Sequence, residues 1–103
     1  KCEACTIDAP LVSDSEAKVL LLELDGWLIE SDSGINQLIK TYKFSNYAES
    51  LDFSNKVADL AESEDHHPKI VLEYGSVEVS WWSHKIKGLH KNDFICAAKT
   101  DLI

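Results

Sequence analysis

Residues 69–83 read KIVLEYGSVEVSWWS, and the pairing of the two halves of this stretch decides the fold. Lys69 to Glu73 (KIVLE) and Val77 to Ser83 (VEVSWWS) are short runs of β-branched and aromatic residues, the composition that suits a pleated, half-buried surface. Between them Gly75-Ser76 reads as a two-residue link, with glycine at the first central position as a type II′ turn requires. That register sets Tyr74 against Val77, Leu72 against Val79 and Ile70 against Trp81, and it puts these side chains on one apolar face. Extended to the open end, it sets Pro68 against Ser83 and His67 against His84, with opposed Cβ atoms about 5 Å apart.

The flanking segments read as helices and a second hairpin. Asn46 and Glu49 stand at capping-box spacing, with Ser45 the other candidate cap. Tyr47, Leu51, Ser54, Ala58 and Ala61 then mark one face at helical period, and Glu62 sits on its flank one turn before His66. A carboxylate there would lie under the histidines and orient an imidazole. Ser13 and Glu16 make a capping box that opens a helix through Leu24, with Ala17, Leu20, Leu21 and Leu24 as its core stripe and Gly26 closing it. Trp27 to Ser31 and Ile35 to Phe44 read as strands around Asp32-Ser33-Gly34, and a last helix begins near Lys91. The order α-β-β-α-β-β-α predicts an α+β fold, a four-stranded antiparallel sheet with three helices packed on one face. Residues 1–10 read as an extended leader and residues 11–103 as a single domain.

Composition narrows the function classes. A chain of 103 residues builds one small core, so oligomerisation would help it. A net charge of −8 argues against binding a phosphate backbone, and Lys85, Lys87 and Lys91 are the one local basic set. No stretch approaches the length of a membrane span, and no secretory signal is visible, so a cytoplasmic location is expected. Cys2 and Cys5 have the spacing of half a zinc ribbon with no second pair to complete it, and Cys96 reads as a buried core thiol.

The chemistry concentrates in Glu62-Ser63-Glu64-Asp65-His66-His67-Pro68 and in His84. Histidine exchanges a proton near neutrality, and proline after a His-His pair stops a helix and turns the chain outward. Glu62, His66-His67-Pro68, Tyr74, His84 and Asp93, at their spacings, resemble the signature of the pterin-4a-carbinolamine dehydratases. The likeness extends over roughly Pro10 to Leu102 and includes Gly26-Trp27, Tyr42-Lys43-Phe44, Ser83-His84 and Gly88-Leu89. The chain departs from the family at Trp82, where a small or aliphatic residue is common, at Lys85, where an acidic one is, and at His90, where Ser or Thr usually caps the last helix.

The resemblance implies the same α+β architecture and a homodimer or homotetramer. It also implies a hydro-lyase that dehydrates a 4a-hydroxytetrahydropterin, the product of an aromatic amino acid hydroxylase, to the quinonoid dihydropterin without metal or organic cofactor. His66 and His84 would be the acid and base, and His67 would position the pterin. Glu62 and Asp93 would orient the imidazoles, and Asp65, Trp82, Ser83 and Lys85 would contact the substrate. Two other readings use the same chain. One is a non-catalytic dimerisation module for a transcription factor, a second role of some family members. The other is a zinc or iron site built from the three histidines with Glu62 and Asp93, disfavoured because adjacent histidines on a turn point apart.

Overall fold

The computed structural model describes residues 10–103; Cys2, Cys5 and the leader before Pro10 lie outside them. The elements are α1 (Asp14–Leu21), β1 (Leu28–Asp32), β2 (Ile35–Lys43), α2 (Tyr47–Glu64), β3 (Lys69–Glu73), β4 (Ser76–Trp81) and α3 (Lys91–Asp101). All strand pairs are antiparallel, in the order β1-β2-β4-β3, so the two hairpins meet along β2 and β4. This is the expected α+β order with helices packed on the sheet.

Alternation along the strands builds the core. Leu38, Val77, Val79 and Trp81 share one face and are fully buried there. Phe53, Val57 and Ala61 come down on that face from α2, Phe94, Cys96 and Ala97 from α3, and Ala17 from α1. Trp81 finds a partner for its indole N–H in the Thr100 hydroxyl at 3.1 Å. Burial pushes the Cys96 thiol up to about 12, with the charges of Asp93 and Glu64 adding to it, so this cysteine is an inert core residue.

Three expectations need correction. The β3–β4 register runs Ile70↔Val79 and Leu72↔Val77, two residues away from the expected one, because the turn is Tyr74-Gly75. Gly75 carries φ +77° at the second central position, a type II pattern and not II′. Its carbonyl accepts from Phe44 N–H at 2.8 Å, and a Cβ on Gly75 would stand 3.2 Å from the Phe44 oxygen, so both the positive φ and the close approach favour glycine against the end of β2. A slip of two residues preserves the faces, and Tyr74 moves from the apolar face into an exposed turn. Secondly, α1 stops at Leu21 and continues as two i→i+3 turns, Glu23 on Leu20 and Leu24 on Leu21. Gly26 is therefore no helix cap but a left-handed residue entering β1. Thirdly, α2 buries Ser50, Phe53, Ser54, Val57 and Ala61, and leaves Tyr47 and Leu51 exposed. Phe53 turns this face inward by packing on Tyr42 and Phe44, at centroid distances of 4.5 and 5.2 Å.

Candidate active site

The end of α2 decides where each histidine points. Asp65 adopts a left-handed conformation with φ +54°, a place that glycine usually fills. Its N–H donates to the Glu62 carbonyl, and the next N–H, of His66, reaches the Ala61 carbonyl at 3.1 Å, which closes a Schellman motif. This reversal turns His66 into the protein and His67 out of it before Pro68 leads into β3.

His66 is buried, 5% exposed, and stacks on Trp81 at a centroid distance of 5.7 Å and an interplanar angle of 11°. Its Nε2 lies 2.6 Å from Asp93 Oδ1. Asp93 is fully buried, and its other oxygen, Oδ2, accepts from the Ser83 hydroxyl at 2.7 Å and from the His90 N–H at 2.9 Å. Glu62 therefore does not serve His66. It binds the outward ring, with His67 Nε2 2.6 Å from Glu62 Oε2, and both side chains are exposed. Ser83 is fully buried and anchors Asp93, so its hydroxyl is not an open pocket wall.

His84 meets the pair, though not by the expected cross-strand opposition. The register of β3 and β4 would set His84 beyond His67, and contact is made through the backbone: His84 Nε2 is 2.9 Å from the His67 carbonyl. A carbonyl only accepts, so Nε2 carries the hydrogen, and in the neutral ring Nδ1 is an open acceptor. The ring packs on Trp82 at 4.4 Å, with Lys85 exposed beside it in a loop closed by the Ser83–Gly88 bridge. The site thus holds two exposed imidazoles, one against a carboxylate and one with an open ring nitrogen, in front of a buried His66–Asp93 pair. Among the described residues, no group of three or more His, Cys, Asp or Glu is gathered to hold a metal ion.

Sequence reasoning missed two features. One is that Asp93, expected against an imidazole, also accepts from Ser83 and His90, for which its place in the first turn of the last helix was the available signal. The other lies across the core: Asp101 accepts from Trp27 Nε1 at 3.0 Å, from Lys40 Nζ at 2.8 Å and from the Tyr42 hydroxyl. No spacing in the sequence announces that second cluster.

An α+β sheet with a histidine and carboxylate cluster at the open end of its second hairpin defines a class, that of the pterin dehydratase-like domains. Residues 10–103 match the family described as Pterin 4 alpha carbinolamine dehydratase, and the chain belongs to that family, which groups hydro-lyases. A relative from Vibrio vulnificus (strain YJ016), provisionally named a pterin-4-alpha-carbinolamine dehydratase, is 60% identical over 100% of this chain and 94% of its own length. A relative of the same provisional name from Saccharophagus degradans is 60% identical over 97% of this chain and 88% of its own. Among solved structures, a transcriptional coactivator/pterin dehydratase from Brucella melitensis superposes with a TM-score of 0.80 at 28% identity, covering 90% of this chain and 97% of that one. A pterin dehydratase-like protein identified as a RuBisCO assembly factor shares the fold, with a TM-score of 0.63 at 22% identity over 75% of this chain and 87% of that one. No helix among the described residues is long and apolar enough to cross a membrane.

Proposed function

We propose that this protein dehydrates 4a-hydroxytetrahydropterin to quinonoid dihydropterin by histidine acid–base catalysis. The observation that carries the reading is the pairing of two exposed imidazoles of unlike surroundings, His67 against Glu62 and His84 with Nδ1 open. His84 Nδ1 takes the proton from ring N5, and the freed electron pair forms the C4a–N5 double bond. The C4a–oxygen bond breaks as protonated His67 gives its proton to the departing hydroxyl, which leaves as water. Glu62 supplies the negative partner for the protonated His67. His66, closed in by Trp81 and Asp93, holds the floor of the site, and Trp82 offers an aromatic surface to the flat pterin. The step as written needs neither metal nor organic cofactor.

A cytoplasmic homodimer or homotetramer supplied by an aromatic amino acid hydroxylase fits this role, with Asp65 and Lys85 at the substrate's edge. The solved relative from Brucella melitensis is named as both coactivator and dehydratase, which favours as second reading a dimerisation module. One assay separates them. The protein is added to an aromatic amino acid hydroxylase reaction and the carbinolamine is followed by ultraviolet absorbance. Faster decay than without protein upholds the dehydratase; unchanged decay overturns it and leaves the module.

A further inference from the structure

We propose that His90 is a positioning residue whose protonation state controls the placement of His66, an effect on catalysis that rests on the dehydratase reading. His90 is the N-cap of α3 and is 4% exposed. Its Nδ1 accepts the Asn92 N–H at 3.0 Å, so that nitrogen bears a lone pair, and the hydrogen of the neutral ring sits on Nε2. Its own N–H donates to Asp93 Oδ2 at 2.9 Å, and Asp93 Oδ1 holds His66 at 2.6 Å. One cap, one carboxylate and one candidate site histidine thus form a continuous chain of hydrogen bonds. Because Asp93 is fully buried, bulk solvent does not reach it, and a member of that chain that lets go leaves its partner in a low-dielectric interior.

A Ser or Thr cap, usual in the family that this sequence resembles, accepts at every pH. Histidine accepts only while neutral. Protonation at Nδ1 sets an N–H donor against the Asn92 N–H, opens the first turn of α3 and loosens Asp93. Among the described residues, Glu16 from α1 and Lys91 of α3, which stand 3.8 Å apart, line the same cleft as His90, and Asp93 lies on the same helical turn. Ser83, two residues beyond β4, shares the Asp93 oxygen and does not titrate, and the described residues lining the cleft from before α1, Pro10, Leu11 and Val12, carry no charge.

The test uses the full chain with His90→Ser and His90→Asn, which keep a side-chain acceptor, and His90→Ala, which does not. Values of kcat and KM are measured from about pH 5 to about pH 9, the range over which histidines exchange protons. Imidazole ¹⁵N spectra of substrate-free protein are recorded over the same range. The expected result is that His90→Ser or His90→Asn keeps neutral kcat and extends it to lower pH. His90→Ala should lower kcat about 5-fold with KM unchanged, the size carried by loss of one cap. The His66 signals of the parent should show a second step in register with His90, absent in the cap-retaining variants. Superimposable acid limbs together with unchanged His66 titration would overturn the proposal. A parent protein that shows the coupled step but does not dehydrate the carbinolamine would uphold the His90–His66 link and sink the dehydratase reading instead.

Discussion

Asp93 carries more of the site than any other residue, since three donors, each just outside a regular element, converge on its two buried oxygens. Asp93→Ala should cost about 2 kcal/mol of stability, because the Ser83 hydroxyl, the His66 ring and the His90 N–H lose their acceptor together. Urea unfolding of parent and variant measures it, and a midpoint shared with the parent would show that the three donors find other partners. The exposed histidines behave differently. His67→Ala and His84→Ala should each lower turnover by roughly 10²–10⁴-fold while leaving the unfolding midpoint near the parent's, since neither ring is in the core. A variant that turns over at the parental rate would remove that ring from the mechanism. The side chains that the structure gathers here, Glu62, His66, His67, His84 and Asp93, could be named from the sequence because their spacing matches the family signature. Their partners could not. The exchange that gives Glu62 to His67 and Asp93 to His66 depends on the left-handed Asp65, a backbone state that an aspartate in the sequence does not announce.

At the scale of elements, periodicity set the order and the faces, and it left registers and helix faces open by small steps. A strand slipped by two residues shows the same alternation, so the hydrophobic pattern of residues 69–83 fits both turns equally. The choice is made by Phe44, which bonds the Gly75 carbonyl, a contact with a different hairpin. Gly75→Ala should therefore destabilise more than Gly34→Ala. Both glycines have positive φ, worth about 1–2 kcal/mol to an L-residue, but a Cβ at Gly34 meets open space and one at Gly75 meets backbone oxygen. Equal losses in denaturant would mean that the turn gives way without cost. On α2, the expected stripe holds the buried Ser54 and Ala61 but misses Ser50, Phe53 and Val57, and its Tyr47 and Leu51 are exposed. Ser54 Oγ has no hydrogen-bond partner among the described residues, so Ser54→Ala should be neutral or stabilising by up to about 1 kcal/mol. A loss of that size in urea unfolding would instead reveal a partner for the hydroxyl.

Across the whole molecule, the end of α3 is tied to β2 and to the entry of β1 by Asp101. One carboxylate oxygen accepts from Lys40 and Tyr42 and the other from Trp27, while Lys40 also reaches the Asp25 carbonyl at 2.8 Å and lies over the Tyr42 ring. This clamp fastens the helix that carries His90 and Asp93, so it links global stability to the site. Burial alone would raise the Asp101 carboxyl. Hydrogen bonds from Lys40, Tyr42 and Trp27, with the Lys40 charge, outweigh it and hold the group below its ordinary value of 3.8. Tyr42 moves the other way: burial, then its hydrogen bond to Asp101 and that charge, push the phenol far above its ordinary value of 10.0. A depressed acid stabilises the fold above the unfolded value and loses that contribution as pH falls through the folded one. A raised phenol stabilises below its unfolded value and loses the contribution as pH climbs past it. The clamp should therefore weaken on both sides, below about pH 4 through Asp101 and above about pH 10 through Tyr42. Thermal unfolding of the parent, Asp101→Asn and Tyr42→Phe across that range reads each arm separately. The gap in Tm between parent and Asp101→Asn should be widest near neutrality and close toward acid, and the gap to Tyr42→Phe should close toward alkali. Gaps that stay constant with pH would show that the cluster holds the helix by packing alone, with no share for its charges.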